Sequence, residues 1–117
     1  MSDITIYHNP ACGTSRSVLG LIRDSGSTPT VVEYLKHPPD RATLLKLIAD
    51  TGLPVREVIR QKETLFLELG LGGATVSDEQ RIDAMLAHPV LIDRPIVVTP
   101  RGTRLCRPAE TVQALLG

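Results

Sequence analysis

Residues 3–16 read Asp-Ile-Thr-Ile-Tyr-His-Asn-Pro-Ala-Cys-Gly-Thr-Ser-Arg, and this stretch decides the fold. Ile4 and Ile6 alternate with polar neighbours, the two-residue period of a strand over 3–7. His8-Asn9-Pro10-Ala11-Cys12-Gly13 interrupts that strand with turn chemistry. A helix is expected from near Thr14 to about Asp24. Val18, Leu19, Leu21 and Ile22 form its apolar stripe, and Gly26 stands where a C-terminal cap belongs. Residues 30–35 (TVVEYL) read as a second strand. Strand, thiol-bearing loop, helix and strand make a βαβ unit, whose strands run parallel.

Downstream the pattern turns helical. Asp40 follows Pro38-Pro39 as an N-cap, with Leu44, Leu45, Leu47 and Ile48 as the buried face and Gly52 as the stop. Pro54 fits the first turn of a short helix through Val55, Val58 and Ile59. Leu65, Phe66 and Leu69 suggest another short helix before Gly70-Leu71-Gly72-Gly73. Ser77 with Gln80 has the form of a capping box opening a helix through Ile82, Met85 and Leu86, which Pro89 ends. Residues 95–99 (PIVVT) and 103–106 (TRLC) flank Pro100-Arg101-Gly102 and read as a hairpin. Pro108 then opens a last helix holding Val112, Leu115 and Leu116. The order βαβ, helical insertion, ββα is that of an α/β, thioredoxin-like sheet. The expectation is a single domain over 1–117, with a helical subdomain inserted at about 38–90.

Composition bounds the rest. A chain of 117 residues with 42% hydrophobic and 22% charged residues can build one globular core without a disulfide framework or structural metal. Thirteen basic and thirteen acidic residues give zero formal net charge, so no global field attracts nucleic acid or anionic lipid. With 3% aromatic residues a base-stacking platform is not expected. No apolar run approaches the roughly 20 residues of a membrane span. The start, Met-Ser-Asp-Ile, has no basic segment leading into an apolar one, so a cytoplasmic setting is expected. The two cysteines, Cys12 and Cys106, are then thiols at rest.

Cys12 lies between a strand and a helix start, where free backbone N–H groups and the helix dipole favour negative charge. A cysteine there ionises readily, and the thiolate is the nucleophile. The bland alternative is a small buried hydrophobe, which the polar Gly-Thr-Ser-Arg that follows does not suit. Cys12-Gly13-Thr14-Ser15 is C-x-x-S, so no resolving cysteine sits one turn on and an external thiol must resolve any adduct. Val18 occupies the arginine position of a C-x5-R phosphatase loop, which excludes that mechanism. His8 is open to two readings: a locally bonded turn histidine, or a group that tunes Cys12. Arg16 could add positive potential or be a solvated first-turn residue. No set of side chains has metal-ligand spacing.

Three further arginines stand out. Arg60 is four residues from Arg56, on one expected helical face. Arg94 directly precedes Pro95 at a strand start, where a cis proline beside the thiol is typical of this fold. Arg107 follows Cys106 and precedes Pro108. Arginine binds oxyanions bidentately and keeps its charge, although each one alone reads equally as a surface charge or an ion-pair member. Cys106 reads as an inert strand residue.

His8-Asn9-Pro10-Ala11-Cys12-Gly13-Thr14-Ser15-Arg16, Arg94-Pro95-Ile96-Val97-Val98-Thr99-Pro100 and Gly102-Thr103-Arg104-Leu105-Cys106-Arg107-Pro108 together strongly resemble the glutaredoxin-coupled arsenate reductases, the ArsC family. The resemblance runs through nearly the whole chain. It implies a nucleophilic Cys12 that attacks arsenate, with His8 helping to keep it a thiolate. It implies oxyanion binding by Arg60, Arg94 and Arg107, with Ser15, Arg16 and Pro95 in support. Glutathione is then the co-substrate that attacks the thiol–arsenate adduct. Glutaredoxin is the partner that reduces the glutathionylated intermediate, and arsenite leaves. No bound cofactor, metal, nucleic acid or membrane is implied, and a monomer is the simplest expectation. Two other readings share the fold. One is a glutathione-dependent thiol oxidoreductase, which C-x-x-S suits equally. The other is an Spx-type redox-sensing regulator that binds RNA polymerase; those usually carry C-x-x-C, against Ser15.

Overall fold

β1 (Thr5–His8) faces Ile6 and His8 inward and leaves Thr5 and Tyr7 half-exposed, as a period of two requires. In the computed structural model, which describes residues 3–116, the strand runs one residue further than the turn chemistry suggested. His8 is still in the ladder because it pairs with Glu33 of β2 (Thr30–Glu33), parallel to β1. β2 itself stops two residues earlier than expected. The N–H groups of Lys36 and His37 both donate to the Glu33 carbonyl, at 2.9 and 2.9 Å, and turn the chain. Tyr34 is carried into the interior by that turn.

Between the two strands runs α1 (Gly13–Asp24). Its buried residues are Ser15, Val18, Leu19 and Ile22, the three-and-four spacing of one helical face. Gly26 closes it at φ +93°, a left-handed conformation that only glycine adopts cheaply. β3 (Ile96–Thr99) and β4 (Gly102–Leu105) complete a sheet in the order β2-β1-β3-β4. β3 runs antiparallel to both neighbours, with Tyr7 opposite Ile96 and Ile96 opposite Leu105. β4 sits one residue earlier than expected, so Cys106 lies just past its end. Arg94–Pro95 is cis, as expected for this fold, and Arg107–Pro108 is a second cis bond.

The last element corrects the sequence reading: Ala109–Leu115 is a 3-10 helix, not an α-helix. Val112 and Leu115 are the residues it buries, and a spacing of three stacks them on one side of a helix with three residues per turn. They join Ile4, Ile6, Val18, Leu19, Ile22, Val97 and Cys106 in the core of this part of the chain.

The chain divides into two compact units, one from the segments up to His37 and from Arg94 onward, the other Pro38–Asp93. The second unit holds α2 (Arg41–Thr51), α3 (Val55–Val58), α4 (Thr64–Glu68), α5 (Asp78–Ala87) and a 3-10 turn at Pro89–Leu91. Two of its helices start where the sequence marks them, at Asp40 and at Ser77. Asp40 Oδ1 accepts from the Thr43 N–H at 2.8 Å, and Ser77 and Gln80 form a reciprocal capping box. Gly52 ends α2 at φ +73°. α3 is shorter than expected. Ile59 leaves the helix to bridge Ile92, and the Arg60 N–H donates to the Leu91 carbonyl at 2.7 Å. Arg60 therefore shares no helical face with Arg56.

Two substitutions test this account of the core and of the caps. Ile22→Ala removes a fully buried side chain and should lower the unfolding free energy by about 2–5 kcal/mol. Ser77→Ala removes one half of a capping box and should cost about 1 kcal/mol. Urea titrations followed by circular dichroism measure both; a negligible loss for Ile22→Ala would contradict the packing described.

Candidate active site

Three backbone features bring the site together in the first unit. The strand-to-helix turn after β1 carries Asn9 and Cys12, the turn after β2 carries Tyr34, and the segments flanking β3 and β4 carry Arg94 and Arg107.

The Cys12 loop is tightly determined. Asn9 Oδ1 accepts the Ala11 N–H at 2.9 Å, an Asx turn, and the Asn9 carbonyl accepts the Cys12 N–H at 3.0 Å. Cys12 is then the N-cap of α1, with extended backbone at φ −93° and ψ 122°. Its sulfur occupies the place of an N-cap oxygen. By strict geometry it closes no cap hydrogen bond, yet the N–H groups of Ser15 and Thr14 still stabilise negative charge on it. The Arg107 Nη1 lies 3.7 Å from Cys12 Sγ. Partial burial pushes the thiol up; the Ser15 N–H, the Arg107 guanidinium and the Thr14 N–H outweigh it, and the balance falls below the ordinary thiol range.

Arg107 is itself anchored. The same Nη1 donates to the Arg94 carbonyl at 2.8 Å, and the Cys106 N–H donates to the carbonyl of cis Pro95 at 2.9 Å. Residues 94–95 and 106–107 are stitched together, and the stitch delivers a guanidinium to the sulfur. Arg94 is 3% exposed, an extreme value for an arginine.

His8 and Ser15 lie behind the loop. His8 Nδ1 is 2.6 Å from Ser15 Oγ, and that oxygen also accepts the Asn9 N–H at 3.1 Å. Burial pushes the His8 imidazole below its usual range; Glu33 opposes this, while Arg23 and Arg16 add to it. The ring is therefore neutral at pH 7 and supplies no positive charge to the sulfur. Arg16 turns back over the loop, donating from Nη1 to the Pro10 carbonyl at 2.9 Å. Arg60 belongs to the second unit, where Glu63 Oε1 at 3.3 Å and Asp93 Oδ1 at 3.2 Å hold its guanidinium.

Cys106 is fully buried, and burial pushes its thiol up to about 12, so it stays protonated and inert at neutral pH. Tyr34 and Asn9 are neighbours of the site that sequence reasoning left out. The phenol of Tyr34 interacts with both Arg94 and the Asn9 side chain. Within TVVEYL it reads as one more apolar strand residue. The only signal was a hydroxyl that burial obliges to find a partner. Among the described residues no group of three or more His, Cys, Asp and Glu side chains is arranged to hold a metal ion.

Alkylation by iodoacetamide reads this electrostatic balance directly. Thiolate reacts and thiol does not, so the rate at Cys12 should rise with pH through a midpoint below that of a free cysteine. Arg107→Ala removes a group that favours the thiolate and should move the midpoint upward; an unmoved midpoint would contradict the geometry. Cys106 should remain unmodified in the native protein.

Comparison with known proteins adds an independent line. Residues 7–115 match the ArsC family. An arsenate reductase of Rhizobium meliloti (strain 1021) is 63% identical over 113 residues, spanning 97% of this chain and 81% of that protein. One from Escherichia coli is 58% identical over 116 residues, spanning 99% and 82%. Among solved structures, an arsenate reductase from Vibrio cholerae superposes with a TM-score of 0.94 at 42% identity, covering 98% of both chains. A putative arsenate reductase from Yersinia pestis gives 0.88 at 43% identity, covering 95% of this chain and 98% of that one. Family match, sequence identity and superposition agree, and the chain belongs to the ArsC family.

Proposed function

We propose that this protein reduces arsenate to arsenite, with Cys12 as the nucleophile and glutathione and glutaredoxin as the source of electrons. The observation that carries the reading is the Arg107 guanidinium 3.7 Å from a thiol at the head of a twelve-residue helix. Arsenate is a tetrahedral oxyanion, and an anionic nucleophile attacking it meets repulsion. A helix N-terminus and the Arg107 guanidinium beside the sulfur offset that repulsion and stabilise the charge that develops on the arsenate oxygens. The arsenate reductases among its relatives, at 58–63% identity, support the same substrate.

In the reaction, the Cys12 thiolate bonds to arsenic and an oxygen leaves as water or hydroxide. Glutathione adds as a second sulfur on arsenic, its thiol proton leaving with a second arsenate oxygen as water. A glutaredoxin thiolate then attacks the glutathione sulfur; the electrons of the arsenic–sulfur bond return to arsenic, which falls from +5 to +3. Hydrolysis of the remaining bond frees arsenite and Cys12. The C-x-x-S spacing supports external thiols here, because no neighbouring cysteine is available to compete for the adduct.

The other roles are those the family resemblance implies. Arg107 acts on both sulfur and oxyanion, and Arg94 binds oxyanion from the cis Pro95 junction. The family resemblance makes Arg60 the third oxyanion ligand; within the second unit Glu63 and Asp93 hold its guanidinium. His8 tunes Cys12 through Ser15. A neutral imidazole against the Ser15 hydroxyl holds the first turn of α1 in place, and with it the Ser15 N–H that favours the thiolate. Arg16 braces the loop at Pro10.

The test is arsenate-dependent NADPH oxidation by the purified protein with glutathione, glutaredoxin and glutathione reductase. Turnover should require all components and vanish in Cys12→Ser. Arg94→Ala and Arg107→Ala should each lower kcat/KM for arsenate by about 10²-fold or more, the scale of losing a charged transition-state contact. Turnover of a glutathione mixed disulfide without any arsenate response would replace the substrate while keeping the thiol chemistry.

A further inference from the structure

We propose that Tyr34 is a positioning residue of this site: its phenol oxygen, shared by the Asn9 side-chain amide and the Arg94 guanidinium, fixes the arginine relative to the Cys12 loop. The inference rests on the function proposed above and adds a residue to its oxyanion machinery.

The placement follows from the sheet. The parallel register sets His8 opposite Glu33, so the next residues along the two strands, Asn9 and Tyr34, leave the ladder side by side. Tyr34 is 1% exposed, and a hydroxyl buried that deeply has to be hydrogen-bonded. Both ends of the Asn9 amide are committed. Its Oδ1 takes the Ala11 N–H at 2.9 Å, which leaves the NH₂ to donate toward the Tyr34 oxygen. Arg94 donates to the same oxygen. The Asn9 carbonyl receives the Cys12 N–H at 3.0 Å. An unbroken path thus runs from Arg94 through Tyr34 and Asn9 to the nucleophile's own backbone.

The chemistry of the strut matters as much as its position. Burial pushes the Tyr34 phenol up, so it stays neutral at any physiological pH. A neutral oxygen orients a guanidinium without cancelling its charge.

The experiment is Tyr34→Phe, which keeps the ring and its packing and deletes only the hydroxyl. KM for arsenate should rise about tenfold with kcat changed much less. The arsenate concentration that protects Cys12 from iodoacetamide should rise by the same factor. The pH midpoint of Cys12 alkylation without oxyanion should stay put, because the sulfur's partners, the Ser15 and Thr14 N–H groups and Arg107, are untouched. Ile22→Ala, which destabilises the fold away from the site, should leave KM unaltered. Unchanged KM and unchanged protection in Tyr34→Phe would overturn the proposal, whatever happens to its Tm. If the wild type is protected by arsenate but does not reduce it, the reduction reading fails, and the protection measurement alone decides the role of Tyr34.

Discussion

A negative charge on one half-buried sulfur is the constraint around which this structure is arranged. Burial works against the thiolate of Cys12, and whatever favours it has to be supplied locally, since the chain carries no net charge. Backbone does the first part. The turn from β1 into α1 leaves the Thr14 and Ser15 N–H groups unclaimed by the helix and directed at the sulfur. One side chain does the second. Arg107 comes from ninety-five residues downstream, and it arrives only because the sheet brings the 106–107 segment against 94–95. The fold is therefore part of the thiol's chemistry.

The same economy shows in how the loop is held. Asn9 uses its side-chain carbonyl, its backbone carbonyl and its backbone N–H on Ala11, Cys12 and Ser15 respectively. Ser15 is fully buried and accepts from that N–H while bonded to His8. A nucleophile held in this way is ready before any oxyanion arrives, and preorganisation of that kind is what makes electrostatic catalysis effective. The neutral state of His8 fits this picture better than a charged one would. A buried cation next to Arg23 and Arg16 would add repulsion at the back of the loop.

Much of this was legible in the residues. The alternation of Ile4 and Ile6, the stripe of α1, and the punctuation at Asp40, Gly52, Ser77 and Gln80 mark elements that the structure contains, because caps and periodicity are local physics. Pro95 is cis as its place beside the thiol suggested. The misses share a cause. His8 stays in the strand because Glu33 is there to pair with it, Ile59 leaves its helix because Ile92 is there, and the last segment tightens to a 3-10 helix to stack Val112 and Leu115. Each depends on a partner far away in the chain. Tyr34 was hidden for the same reason: a strand pattern shows that a side chain is buried, not that its hydroxyl meets an arginine sixty residues on.

The central claim, that the Cys12 site turns arsenate into arsenite, is tested most directly by arsenic speciation. The purified protein is incubated with arsenate, glutathione and glutaredoxin, and the two oxyanions are separated by chromatography. The account predicts arsenite in molar excess over the protein, and none when Cys12 is replaced by serine. Quantitative recovery of arsenate from folded wild-type protein, with Cys12 reduced and alkylatable, would contradict it.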